Sequence, residues 1–203
     1  MAKIDTVVFD LGNVLFHWDP RHLYRRHFPS EAEMEHFLAT VCTLEWHLAH
    51  DHGVSFEENA ARLKALHPGE AALIDLWRTG FQEMIPGPVP GTSALIAALK
   101  ARGHRLHGLT NMPAPVYPVL CARFPELALL EEVVVSGEEG VIKPDPRIYE
   151  ILIGRTGLEP SRTLFIDDSR RNVDAAAALG FHTHRFADAE GLRADLMGRG
   201  LVA

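Results

Sequence analysis

The chain has 203 residues, 47% of them hydrophobic, with 20 Lys and Arg set against 27 Asp and Glu. That is ample material for a globular core, and a formal net charge of -7 with no basic block longer than pairs such as Arg25-Arg26 argues against a nucleic-acid partner. No apolar run reaches transmembrane length, and the amino terminus leads almost directly into a strand with no room for a signal peptide, so a cytoplasmic protein without membrane contact is expected.

Val7, Val8 and Phe9 predict a short buried strand that stops abruptly at Asp10 and Gly12. A carboxylate is thereby placed at a strand's carboxyl end, the edge where open α/β sheets bind ligands. Gly12, lacking Cβ, is expected where the backbone turns sharply and a ligand approaches the main chain. Asp19-Pro20 then reads as a helix start, with Asp as N-cap and Pro at the first helical position.

From there to about Met84 apolar residues recur at three- and four-residue steps, among them Leu23, Tyr24, Phe28, Phe37, Leu63 and Trp77. Breaks fall at Pro29-Ser30, His52-Gly53 and His67-Pro68-Gly69, so a module of separate helices is expected after the first strand. The segment from Ile85 to Gly91 is the densest in Pro and Gly and reads as the return linker.

Beyond it helix and strand alternate. Helices are predicted over 92–102, through 117–124, and over 146–155, 172–179 and 188–197, with strands at 105–109, 132–135, 163–166 and, weakly, 183–185. This alternation implies a parallel sheet with helices on both faces. Cys42 and Cys121 lie far apart without a CxxC pair and read as buried thiols. His47, His50 and His52 have ligand-like spacing, but with Asp51 beside them and no second pair they read as a solvated helix end.

The other strands end in polar residues of one kind. Leu109 is followed by Thr110-Asn111, Ile166 by Asp167-Asp168-Ser169, and Lys143-Pro144 stands just before a helix start. Several acids at one sheet edge repel each other unless a cation sits among them, and Mg²⁺ suits such oxygen ligands: two carboxylates and a main-chain carbonyl suffice, leaving sites for water and phosphate. A hydroxyl, an amide and a lysine aimed at the same point would then hold phosphate oxygens.

Phe9-Asp10-Leu11-Gly12-Asn13-Val14, Leu109-Thr110-Asn111, Lys143-Pro144 and Phe165-Ile166-Asp167-Asp168 resemble, in order, the four motifs of the haloacid dehalogenase superfamily of hydrolases. The helical module resembles that family's small C1-type cap. The resemblance implies a Rossmann-like core at 1–16 and 87–203 with the cap at 17–86. It also implies that Asp10 is the nucleophile, forming an aspartyl-phosphate that water hydrolyses. Asp10, the Gly12 carbonyl and Asp168 would be the Mg²⁺ ligands, and Asp167 would act mostly through bound water. Thr110, Asn111 and Lys143 would bind the transferring phosphoryl group, with Asn172 orienting Asp168 or Lys143. The implied partner is a small phosphorylated metabolite.

One position departs from the family pattern: most of its phosphatases carry an aspartate two residues after the nucleophile as general acid and base, and Gly12 stands there instead. Three accounts follow. The leaving group departs with little help, as a sugar's anomeric oxygen would; or His17 or Asp19 supplies the proton; or the chemistry is different. The motifs are similar to those of bacterial glucose-1-phosphate phosphatases, which fits the first account. Family dehalogenases also lack the second acid, but they need no metal and generally lack the acid pair at Asp167-Asp168. A phospho-accepting or non-catalytic binding module is the third reading, against which a helical lid of this size argues. Within the lid, Glu45, Trp46, His47 and also His17 are candidates for touching the leaving group.

Overall fold

The computed structural model describes residues 3–203. Its strands β1 (Thr6–Phe9), β2 (Arg105–Thr110), β3 (Glu132–Val135), β4 (Thr163–Asp167) and β5 (His182–Arg185) form one parallel sheet in the order β3-β2-β1-β4-β5. β1 is central, with Phe9 opposite Gly108 on one side and Ile166 on the other. The backbone N–H of Asp10 carries this ladder one step further, donating to the Ile166 carbonyl at 2.8 Å. Alternate residues of a strand face opposite sides of a sheet. Val7 and Phe9 accordingly join Leu164 and Ile166 in one apolar cluster, and Val8 joins Phe165 in the other.

The helices follow the sequence punctuation. α1 (Arg21–Tyr24), α2 (Glu31–Thr40), α3 (Leu44–Asp51), α4 (Phe56–Leu66) and α5 (Ala71–Thr79) make up the stretch after β1, and α6 (Thr92–Ala101) leads into β2. α7 (Val116–Arg123) precedes β3, α8 (Ser136–Glu139) and α9 (Pro146–Thr156) follow it, α10 (Arg170–Ala178) joins β4 to β5, and α11 (Ala189–Gly198) comes last. Side-chain caps set the starts: Ser30, Thr43 and Ser55 accept from the third backbone N–H beyond them in α2, α3 and α4. Leu95 and Leu99 of α6 and Leu192 and Leu196 of α11 cover one face of the sheet, and Ile148, Tyr149 and Leu152 of α9 with Ala176 of α10 cover the other. Apolar contacts run unbroken from the first face into the inserted helices through Leu23, Tyr24, Met34, Phe37 and Trp77. Among the described residues no helix is long and apolar enough to cross a membrane.

Several local expectations change. The helix begun at Asp19-Pro20 lasts a single turn, and its capping position is Pro20, which has no side-chain donor or acceptor, instead of Asp19; Asp19 accepts from Arg21 N–H at 2.9 Å from one residue further back. The left-handed residue of the turn after β1 is Asn13 (φ 55°), not Gly12. Asparagine tolerates that conformation, and Asn13 uses its side chain to accept from Trp18 N–H at 3.0 Å. Cys42 is buried as expected, but Cys121 lies on the exposed side of α7. His47, His50 and Asp51 are no solvated helix end: all three are buried, because α3 packs that side against α4 and α5, while only His52 is exposed.

Candidate active site

The strand ends bring the four motifs together at one edge. Asp10 follows the last residue of β1, Thr110 ends β2 and Asp167 ends β4, so the three stand at neighbouring strand ends of one sheet edge without any contribution from long loops. Lys143 enters from the segment before α9 and is 2% exposed. Its Nζ lies 2.7 Å from Asp167 Oδ2, 2.9 Å from Asp10 Oδ1 and 2.8 Å from the Leu109 carbonyl oxygen, to which it donates. Burial disfavours its charge, but Asp10 and Asp167 outweigh that and hold the ammonium above the ordinary lysine range.

The two oxygens of Asp10 are differently employed. Oδ1 accepts from Leu11 N–H at 2.7 Å and faces Lys143, while no hydrogen bond from the described residues reaches Oδ2. Asp167 is fully engaged: Oδ1 accepts from Ser169 N–H and from Asn172 Nδ2, and Oδ2 from Lys143 and Asn172. Asn172 therefore orients Asp167, not Asp168. The two aspartates differ in surroundings: Asp167 ends β4 and is buried against the lysine, and Asp168, just beyond the strand, is half-buried at the cavity.

Asn111 has a partly structural task. It donates from Nδ2 to the Lys143 carbonyl and accepts from Lys143 N–H, at 3.0 and 2.8 Å, fastening the lysine's backbone across 32 residues of sequence. The Thr110 hydroxyl is buried with no partner among the described residues, which leaves a donor for a ligand.

Asp10, Asp167 and Asp168 each offer an oxygen within 4.8 Å of the others, and they are the one such set of acids, histidines or cysteines among the described residues. Three carboxylates around one ammonium leave excess negative charge. Burial first, then Asp167 and Asp168, push the Asp10 carboxyl up to about 8 against the pull of Lys143. Burial and then Asp167 likewise raise Asp168. An all-oxygen donor set short of positive charge fits Mg²⁺. Gly12 lines the same cavity as Asp10 and Asp168, which puts its main chain beside the set.

That cavity, of about 250 Å³, is roofed by one stripe of α3: Leu44, His47, Leu48 and Asp51. Leu44 is 58% exposed and Leu48 41%, large apolar side chains turned to open space. Phe16, Trp18, Phe81 and Met112 add further apolar wall. Of the four residues expected to touch a leaving group, only His47 lines the cavity. Glu45 and His17 are exposed elsewhere, and Trp46 packs between Trp77 and His50. Asp19, proposed as a proton donor, is tied to Arg21 instead. The residues that sequence reasoning passed over, Leu44, Leu48 and Asp51, carried a signal: with His47 they stand at i, i+3, i+4 and i+7 of one helix.

Comparison with known proteins agrees with this geometry. A sesquiterpene phosphatase of Aspergillus oryzae is 26% identical over 85% of both chains. A phosphoglycolate phosphatase of Yersinia pseudotuberculosis is 36% identical over 45% of this chain and 39% of its own. The chain thus spans most of the first relative and well under half of the second. Among solved structures, a predicted HAD-like family hydrolase from Porphyromonas gingivalis superposes with a TM-score of 0.74 at 25% identity, covering 97% of this chain and 98% of its own. A HAD family enzyme of Bacteroides thetaiotaomicron, solved in complex with magnesium and inorganic phosphate, shares the fold with a TM-score of 0.70 at 23% identity over 91% of this chain and 95% of its own. The family model for haloacid dehalogenase-like hydrolases matches residues 4–180, and with the four motifs assembled at one sheet edge the chain belongs to that family.

Proposed function

We propose that the protein is a Mg²⁺-dependent phosphatase of small phosphomonoesters, with residues 1–16 and 87–203 as the catalytic core and 17–86 as a cap over the site. The observation that carries this reading is the asymmetry of Asp10: one oxygen is pinned by Leu11 N–H and Lys143, and the other is free at the cavity beside Asp168. A pinned carboxylate with one free oxygen is a positioned nucleophile. Asp10 Oδ2 attacks phosphorus, the bond to the leaving oxygen breaks, and water later cleaves the aspartyl-phosphate to return the carboxylate. Lys143 and the Thr110 hydroxyl hold the phosphoryl oxygens, and Asn111 keeps Lys143 in place. Mg²⁺ held by Asp10, Asp168 and the Gly12 carbonyl, with Asp167 behind, would neutralise phosphoryl charge.

The exposed Leu44 and Leu48 and the aromatic walls favour an organic group with a large apolar part over a bare sugar. The sesquiterpene phosphatase among the relatives fits that preference. Phosphate release from a panel of isoprenyl, alkyl, aryl and sugar phosphates, with and without Mg²⁺, tests the reading. Asp10→Asn abolishes turnover and keeps the fold; an active Asp10→Asn protein, or metal-independent halide release from 2-chloropropionate, would refute it.

A further inference from the structure

The cavity holds a third acid, to which the proposed function gives no role. Asp51, the last residue of α3, is 5% exposed, lines the same space as Asp10 and Asp168, and neither of its side-chain oxygens accepts a hydrogen bond among the described residues. A buried carboxylate left so poorly satisfied costs stability, and structures keep such groups where they have work to do. Its one close polar neighbour is His47, with Nε2 3.5 Å from Asp51 Oδ1.

The surrounding bonds fix how that histidine is protonated. Asn59 Nδ2 donates to the Trp46 carbonyl, so it is the amide nitrogen that faces His50 Nε2, at 3.0 Å. His50 Nε2 therefore accepts, and its proton is on Nδ1, 3.3 Å from His47 Nδ1. Trp77 Nε1, which can only donate, also reaches His47 Nδ1 at 3.2 Å. His47 Nδ1 is thus an acceptor and its proton is on Nε2, the nitrogen 3.5 Å from Asp51 Oδ1, which makes no hydrogen bond to that oxygen. Burial keeps both imidazoles neutral, lowering them to about 3 and about 4.

The acid is also located rigidly with respect to the sheet edge. Ser136, directly after β3, accepts from Met112 N–H at 3.0 Å and donates to the Asp51 carbonyl at 2.7 Å. Gly53 and Gly137 allow that approach: a Cβ on Gly53 would stand 2.8 Å from the Gly137 carbonyl oxygen. Asp51 is therefore fixed to the loop that follows Thr110-Asn111 and lines one cavity with Asp10 and Asp168.

The geometry points to Asp51 as the general acid and base of the reaction, taking the role for which Gly12 has no side chain. This rests on the phosphatase reading above. Protonated Asp51 gives its proton to the leaving oxygen as the bond from that oxygen to phosphorus breaks and the bond from Asp10 Oδ2 forms. The resulting carboxylate takes a proton from the water whose oxygen then attacks phosphorus, as the bond to Asp10 breaks. Alcohol and phosphate leave, and both aspartates return to their starting states. Burial, opposed by Lys143, lifts the Asp51 carboxyl to about 7, where it both gives and takes protons at neutral pH. The charged and titratable groups around it are His47 from α3, Lys143 from the segment before α9, whose charge acts on it, and Asp10 and Asp168, which line the same cavity.

The test compares an alkyl and an aryl substrate, n-hexyl phosphate and p-nitrophenyl phosphate, in Mg²⁺. Nitrophenolate leaves without a proton, and an alkoxide does not. Asp51→Asn should lose about 10²–10⁴-fold in kcat/KM for hexyl phosphate, while still releasing one equivalent of p-nitrophenol in a burst at near the wild-type rate. Asp51→Ala, which places no new amide against His47, should show the same split and stands in if the asparagine variant does not fold. Equal losses on both substrates, or no loss on either, overturn the assignment of Asp51 while leaving an active wild type as a phosphatase. A wild type inert towards both substrates overturns the phosphatase reading and Asp51 with it.

Discussion

Removing the Lys143 ammonium is the sharpest test of how the site is held together. Lys143→Met keeps most of the length and removes the charge, leaving Asp10 and Asp167 buried against each other with no cation between them. Were this an ordinary surface ion pair, the change would cost about 0–1 kcal/mol. Here the ammonium is 2% exposed and serves two carboxylates and a carbonyl, so the cost is that of breaking a buried pair, about 3–5 kcal/mol. For a domain whose whole stability is about 5–15 kcal/mol, that is a large share. Urea unfolding of the metal-free protein at pH 7 measures it, and with a slope of about 1–3 kcal/mol per molar the midpoint falls by roughly 1–5 M. The deficit should narrow at pH 5, where the stranded acids are more easily neutralised, and Mg²⁺ should recover part of it. A loss under about 1 kcal/mol at pH 7 would mean that the acids never depended on the lysine.

Three further outcomes follow from the same electrostatics. Because burial and the neighbouring acids hold the Asp10 carboxyl above its ordinary range without a cation, Mg²⁺ binding should release protons and tighten with rising pH; calorimetric heats identical in buffers of different protonation enthalpy would rule this out. Asp51 is an acid raised from 3.8 to about 7, so the folded state holds its proton longer than the unfolded chain, and stability is lost as pH rises between those values. The loss amounts to about 4 kcal/mol above pH 7 in the metal-free protein. Asp51→Asn should therefore be more stable than wild type at pH 8, with the gap closing towards pH 4, and a less stable variant at pH 8 would contradict it. Finally, a Cβ on Gly12 meets nothing within 4 Å and its φ is not left-handed, so Gly12→Asp can be built without strain. Placed in the Asp51→Asn background it should regain at least about tenfold in hexyl phosphate hydrolysis, part of what a positioned general acid contributes; no gain would mean that position 12 is not the vacancy Asp51 fills.

The fold was legible because its signals are local. A β-branched and aromatic run ending in Asp10, the Pro- and Gly-rich return at 85–91, and polar residues after each strand all mark element ends by their own chemistry. The parallel order then puts those ends at one edge with little freedom left. What could not be read depends on partners distant in sequence. Asn111 reads as a phosphate donor, but nothing near it in sequence says that its amide also spans both main-chain groups of Lys143, and nothing near Asn172 says which of two consecutive aspartates it will meet. The misread histidines have the same origin: α3 alone presents His47 and His50 as polar helix residues, and only Trp77 on α5 and Asn59 on α4 turn them into a buried, donor-matched chain.

The site divides its chemistry between two kinds of element. Strand ends supply charge, because a parallel sheet fixes them relative to one another to within a register step, and charge is least forgiving of displacement at short range. The inserted helices supply shape, and in the proposed reading α3 does so with a single stripe whose leucines would meet the organic group while Asp51 at its end would face the leaving oxygen. Binding of the organic part and delivery of the proton are then coupled through one rigid body. A substrate whose apolar group seats badly against Leu44 and Leu48 also holds its leaving oxygen away from Asp51, so poor fit should reduce kcat and not only raise KM. In that reading the Ser136 hydroxyl, which ties the end of that helix to the Met112 N–H beside the strand edge, would make the binding surface part of the catalytic machinery.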